Sequence, residues 1–269
     1  ETSWAIDAMK QRLLKRRARL FERQPRAGEL DAIVAALRRL QNAHLLAYRR
    51  DDGLLLSEPF GARKPVCPVA NLKDARRAVA VMFGAGAPAG LVRVLARFGA
   101  TALGAAAEAG VRIAVVPDGR KFADYSAAVA ALVPGLDDWS SPPSGLFVVE
   151  ERRILLRSRA LGMTAAHEFA HALDSVLASR PRSYFSYESD ELRHYFATAT
   201  GFVNEYAASG LDEYFAESMR AYLEINDSRC AWLPLTRSEL HVRDPRMDAL
   251  LDRLFATGLA LRERRVRVR

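Results

Sequence analysis

Two histidines four residues apart enclose a glutamate in His167-Glu168-Phe169-Ala170-His171. On an α-helix that spacing puts both imidazoles on one face. There they can bind a single metal ion, and neutral imidazole suits Zn2+. Glu168 follows the first histidine and can reach the attacking water of a hydrolytic reaction as general base. The competing reading is a helix with two hydrogen-bonded histidines and a solvated glutamate. The chain has only five histidines, and random placement gives this pattern in roughly one such chain in two hundred. The metal reading is therefore the stronger one.

A catalytic zinc takes three protein ligands and keeps one position open. The downstream carboxylates are candidates for the third. Glu213 and Glu217 stand four apart in Asp212-Glu213-Tyr214-Phe215-Ala216-Glu217-Ser218-Met219, with Phe215, Met219 and Tyr222 as the apolar side of the same helix. Two acidic groups facing inward are costly without a cation or hydrogen-bond partners. That points to one of them at the metal and the other supporting a ligand from outside. Their alternative is a solvated face, where acidic residues usually lie. Glu205, Glu191 and Asp174 are rivals, Asp174 being better placed to orient a ligand or its helix.

These residues carry a resemblance. HEFAHALD, followed by Tyr206, six residues, and then Glu213-Tyr-Phe-Ala-Glu217, resembles the peptidase domain of anthrax-toxin lethal factor and the Pro-Pro endopeptidases of that family. The resemblance spans roughly residues 111–225. It implies a zincin-like metallopeptidase in which His167, His171 and Glu213 bind Zn2+ and Glu168 is the base. It also implies that Tyr206 assists the transition state and that Glu217 fills the second acidic position. Ala170 stands where these relatives often have Gly. The implied function is a zinc-dependent endopeptidase acting on a protein or peptide bound as an extended strand. The alternatives are an effector domain with one defined target and a non-catalytic binding protein on the same fold.

Several elements must position these groups. Residues 163–178 read as a helix, since Ala165, Ala166, Ala170 and Ala172 favour it and no Pro or Gly interrupts 163–179. Phe169, Leu173, Val176 and Leu177 give it an apolar side. Short β runs at 113–116, 146–149 and 154–156 predict a small sheet beside it, with Glu150 to Arg153 as a charged hairpin tip. An edge strand there can pair with an extended substrate. Helices are expected over 72–82, 91–108, 125–133, 189–208, 211–225 and 245–262. The fold class is therefore α+β and mostly helical.

Upstream, residues 4–23 and 29–49 read as two amphipathic helices. The first is strongly basic through Lys10, Arg12, Lys15, Arg16, Arg17, Arg19 and Arg23. We divide the chain into a basic helical N-terminal segment, 1–85, and a metallopeptidase domain, 86–269. The formal charge of +8 suits an anionic surface contacting the N-terminal helices, or only an Arg-rich solvated surface. No nucleic-acid partner is expected, because no zinc-finger, RNP or helix-turn-helix signature is present. Cys67 and Cys230 permit one disulfide without implying it, and a C-x-x-C zinc site is excluded. The sequence starts at Glu1 with no apolar leader. We take it as a mature or partial chain of a protein secreted or delivered to another cell.

Overall fold

The computed structural model describes residues 70–139, 142–199, 201–226 and 235–259. They lie in the unit formed by Pro65–Asp227 and Leu235–Arg269. The two expected N-terminal helices, Cys67, Cys230 and the C-terminal tail lie outside the described residues. In chain order come α1 (Leu72–Phe83), α2 (Ala89–Ala96), α3 (Gly99–Glu108) and β1 (Arg112–Val116). A 3-10 turn (Phe122–Asp124), α4 (Ala127–Leu132), a second 3-10 turn (Leu136–Asp138), β2 (Gly145–Val148) and β3 (Arg153–Arg157) follow. The remainder is helical: α5 (Met163–Leu177), α6 (Phe185–Glu188), α7 (Asp190–Ala197), α8 (Leu211–Tyr222), α9 (Arg237–Arg243) and α10 (Pro245–Ala256). The architecture is a mostly helical α+β fold with a three-stranded mixed sheet packed against α5.

The strand order is β1-β3-β2. β3 runs parallel to β1, with Ile113 opposite Ile154, and antiparallel to β2, with Phe147 opposite Ile154. Alternate residues of a strand face opposite sides, and both sides of this sheet are buried. Ile113, Phe147, Ile154 and Leu156 join the main core with α5. Val116, Val148 and Leu155 join a second cluster with Phe122, Val129 and Leu136. A central strand buried on both faces needs a continuous apolar run, and Ile154-Leu155-Leu156 supplies it. β2 is left at the edge.

α5 lies at the centre of the main core and buries every residue from Ala165 to Ser175. It packs most extensively against α8 and also meets α2, α3, β2, β3 and α6. Ala165, Ala166, Ala170 and Ala172 are fully buried, and their small side chains let neighbouring elements approach from several directions. Phe169 stacks edge-on against Phe98, with ring centroids 4.8 Å apart.

Two local expectations are corrected. The single helix over 91–108 is two, α2 and α3, bent by 112°; Gly99 at the joint has φ +83°, a conformation that side chains disfavour. Neither half, nor any other single described helix, is long and apolar enough to cross a membrane. The helix over 189–208 stops at Ala197, and residues 205–208 form a turn instead. The helix expected over 125–133 is present as the shorter α4, which starts where Ser126 caps the Val129 amide. The charged hairpin tip joins β2 and β3 as expected, and its side chains also tie it to neighbouring segments. Glu151 accepts from Ser126 Oγ at 3.0 Å and from the Ala128 amide at 2.9 Å, and Arg152 donates to the Ala109 carbonyl at 2.7 Å. The helix α9 was not foreseen, although Thr236 and Glu239 form a capping box at its start.

Phe169 is fully buried, so Phe169→Ala leaves a cavity that these rigid neighbours cannot close. It is expected to cost about 3–5 kcal/mol. Equilibrium urea unfolding monitored by circular dichroism checks this, and a loss below 1 kcal/mol would show that the site collapses around the smaller residue.

Candidate metal centre

α5 and α8 together build the site. The four-residue spacing on α5 brings His167 Nε2 to 3.0 Å from His171 Nε2. α8 packs across them and delivers Glu213, whose Oε2 lies 3.1 Å from His167 Nε2 and 3.4 Å from His171 Nε2. The three residues form a group that can hold a metal ion. Ligands bound at about 2.0–2.1 Å by a tetrahedral ion stand roughly 3.3 Å apart, close to the sides of this triangle. The hydrogen-bond pattern agrees. Glu213 Oε2 is buried, yet no ring N–H is directed at it despite its closeness to both histidines. A buried carboxylate oxygen without a donor is costly unless a cation meets it.

The electrostatics point the same way. Burial alone would lower the pKa of His167, but the carboxylates of Glu213 and Glu217 beside its ring push it up to about 10. Burial would raise Glu213, and the two histidines instead pull it down to about 2. The surroundings thus demand positive charge at the point where these side chains meet. A bound cation would supply it and leave both imidazoles as neutral donors.

Glu217 stands one helical turn beyond Glu213 and turns to the far side of the same imidazole. Its Oε1 lies 2.7 Å from His167 Nδ1. This contact fixes the ring and directs Nε2 towards Glu213 and His171. Arg220 grips the Glu217 carboxylate with two bonds, Nε to Oε1 at 3.0 Å and Nη2 to Oε2 at 2.6 Å. Asn204 Nδ2 donates to Oε2 as well. Desolvation would raise the Glu217 pKa, but Arg220 and His167 hold it well below the usual carboxylate range. Arg220 did not stand out in the sequence, and Asn204 did so only as the neighbour of the rival Glu205. An arginine three residues after an inward-facing glutamate was the available signal for the first; nothing in the sequence pointed Asn204 at Glu217.

Glu168 is buried beside the ligands. Desolvation raises its pKa, and the charges of His167 and His171 and the Phe147 backbone amide restrain the rise. The edge strand β2 passes directly over it. Gly145 makes this approach possible, because a Cβ there would fall 2.6 Å from Thr164 Cγ2 and 2.8 Å from Glu168 Cγ. Tyr206 lies at the rim. Its ring centroid is 5.5 Å from that of His167 and its hydroxyl donates to Glu213 Oε1 at 2.9 Å. Tyr184 stands on the other side, 6.2 Å from the His171 ring and 6.3 Å from that of Phe147.

The rival carboxylates lie outside the ligand group. Glu191 bonds Tyr195 and Arg253. Asp174 is fully buried one turn past His171 and accepts from the Ser186 amide at 2.8 Å and its hydroxyl at 2.6 Å. It therefore ties α6 to α5. Glu205 sits in the turn region before Tyr206. No family model matches the chain, and no curated protein matches it.

Two outcomes follow from this geometry. Gly145→Ala is expected to destabilise the fold by about 1–3 kcal/mol through overpacking, while metal affinity stays within a few-fold because no ligand moves. Thermal unfolding and chelator competition check the two halves separately. Asp174 has its pKa raised by burial from 3.8 to about 7, even though Ser186 favours the charged form. A carboxyl whose folded pKa is raised binds more protons folded than unfolded, so its contribution to stability falls as pH rises between these values. Asp174→Asn is expected to flatten that part of the stability profile between about pH 4 and 7. Urea unfolding across this range tests it, and parallel profiles for the two proteins would refute it.

Proposed function

We propose that the chain is a zinc-dependent endopeptidase. The observation that carries the reading is the convergence of His167, His171 and Glu213 with the buried carboxylate of Glu168 directly beneath the edge strand β2. Two imidazoles and one carboxylate are a donor set that suits zinc and leaves a position open for a reactant. The resemblance of these motifs to the lethal-factor-like peptidases and Pro-Pro endopeptidases supports the same assignment. Bound zinc would supply Lewis acidity, polarising the scissile carbonyl and making water nucleophilic near neutral pH.

The protein's own groups account for the remaining steps. Glu168 takes the proton of the attacking water and then passes it to the leaving amine. Its desolvated carboxylate suits that task, since burial moves its proton affinity towards the working pH. Glu217, held by Arg220, keeps His167 in the orientation that leaves Nε2 free as a ligand. Tyr206, through its hydroxyl at the rim, donates to the oxyanion that develops on the carbonyl. β2 pairs on its free side with the substrate as an extended strand, which sets the scissile bond over Glu168.

Zinc content and digestion of a peptide library test this reading together. Wild-type protein is expected to retain zinc and cleave. Glu168→Gln should retain zinc and lose cleavage by roughly a hundredfold or more. Glu213→Ala should lose zinc, whereas Glu205→Ala keeps it. Wild-type cleavage by Glu168→Gln, or full zinc content in Glu213→Ala, would sink the assignment.

A further inference from the structure

We infer that Asn204 is a positioning residue that couples the metal centre to the loop carrying Tyr206. The inference rests on the metal site proposed above. Asn204 is half-buried and uses both ends of its amide. Nδ2 donates to Glu217 Oε2, on the carboxylate that holds His167. Oδ1 accepts from the Ala207 amide at 2.8 Å and closes the turn in which Tyr206 lies. The rest of the loop is tied locally: the Ser209 amide and hydroxyl donate to the Tyr206 carbonyl at 3.0 and 2.6 Å, and Ala207 is fully buried.

The loop therefore meets α8 at two carboxylates one turn apart. Tyr206 bonds Glu213 and Asn204 bonds Glu217. These contacts differ in kind. A tyrosine hydroxyl that serves a reacting carbonyl must leave Glu213 to do so. Asn204 has no such second task, and its contact persists while Tyr206 exchanges partners. A cation that fixes the His167 ring also fixes Glu217, and through Asn204 it fixes the turn behind Tyr206. Metal loading and placement of the rim tyrosine are then one event.

The two ends of Asn204 can be separated by substitution. Asn204→Asp keeps an acceptor for the Ala207 amide but sets a carboxylate against Glu217. Asn204→Ala removes both ends. Zinc affinity by chelator competition and amide exchange at Ala207, with and without zinc, are the measurements. In wild-type protein zinc is expected to slow exchange at Ala207. In Asn204→Asp zinc affinity should fall roughly 10-fold to 100-fold, as for other outer partners of a ligand, and saturating zinc should no longer slow Ala207. Asn204→Ala should lose the same zinc-dependent protection.

If Asn204 merely closes a turn, Asn204→Asp will match wild type in both measurements, which overturns the inference. Persistent protection of Ala207 by zinc in Asn204→Ala overturns it as well. Wild-type protein that binds zinc at α5 with Ala207 unaffected refutes the coupling and leaves the metal site standing. Wild-type protein that binds no zinc removes both.

Discussion

Buried negative charge at the seam of α5 and α8 is the constraint on which the site depends. Glu168, Glu213 and Glu217 have all been drawn out of water, and a carboxylate without solvent must find donors or a cation. Each finds a different answer. Glu217 has the buried guanidinium of Arg220, the amide of Asn204 and the His167 ring. Glu168 has nearby imidazoles and a backbone amide. Glu213 has Tyr206 on one oxygen and a buried oxygen with no donor on the other. Among these three carboxylates the deficit falls on one oxygen, Glu213 Oε2, at the point on which both histidine Nε2 atoms converge.

The fold can tolerate this arrangement because its surroundings are closely packed and well partnered. Alanines on α5 admit α8 and the sheet at short range, and Gly145 admits the edge strand onto Glu168 itself. The second cluster behind the sheet, with Phe122, Val129 and Leu136, buries the side of β3 that α5 does not cover. The strand therefore cannot tilt away from the site without exposing apolar surface. Asp174 adds a second tie by joining α5 to α6, which carries the approach to Tyr184 and Tyr187 near His171. Rigid support of this kind keeps ligand atoms at fixed separations, which a metal site needs more than it needs any single strong contact.

Much of the site was legible in the sequence because helical spacing is a local rule. His167 and His171 had to share a face once their segment was helical, and so did Glu213 and Glu217. The inward-facing pair Glu213 and Glu217 was favoured over Glu205, Glu191 and Asp174 by its apolar helix, and the choice of Glu213 within the pair came from the motif resemblance. What was not legible depends on contacts between segments. Asn204 and Glu217 are thirteen residues apart and meet only because the chain turns back after α7. Gly145 reads as an ordinary strand start until Glu168 is placed beneath it. The break between α2 and α3 hid in an alanine-rich stretch whose propensity favours one long helix, and a single glycine conformation overrode it.

The charge of the whole chain gave no guide to the site. The chain is basic by eight charges, yet the tyrosines around the ligands respond to carboxylates. Burial and the charges of Glu213, Glu168 and Glu217 raise the Tyr206 hydroxyl, and burial with Asp212, Asp174, Glu168 and Glu150 raises Tyr184. Net charge concerns solubility and long-range attraction, whereas a site is set by groups within a few ångströms in a dry environment, where Coulomb interactions are much stronger. An ion held by His167, His171 and Glu213 would offset the local excess at its own position. On the His171 side, the charges of Asp212 and Glu150 act on Tyr184 beyond the ligand group. A basic protein can thus hold a locally acidic site: Arg220 is paired with Glu217 inside it, while Arg253 and Arg237 are paired with Glu191 and Asp248 away from it.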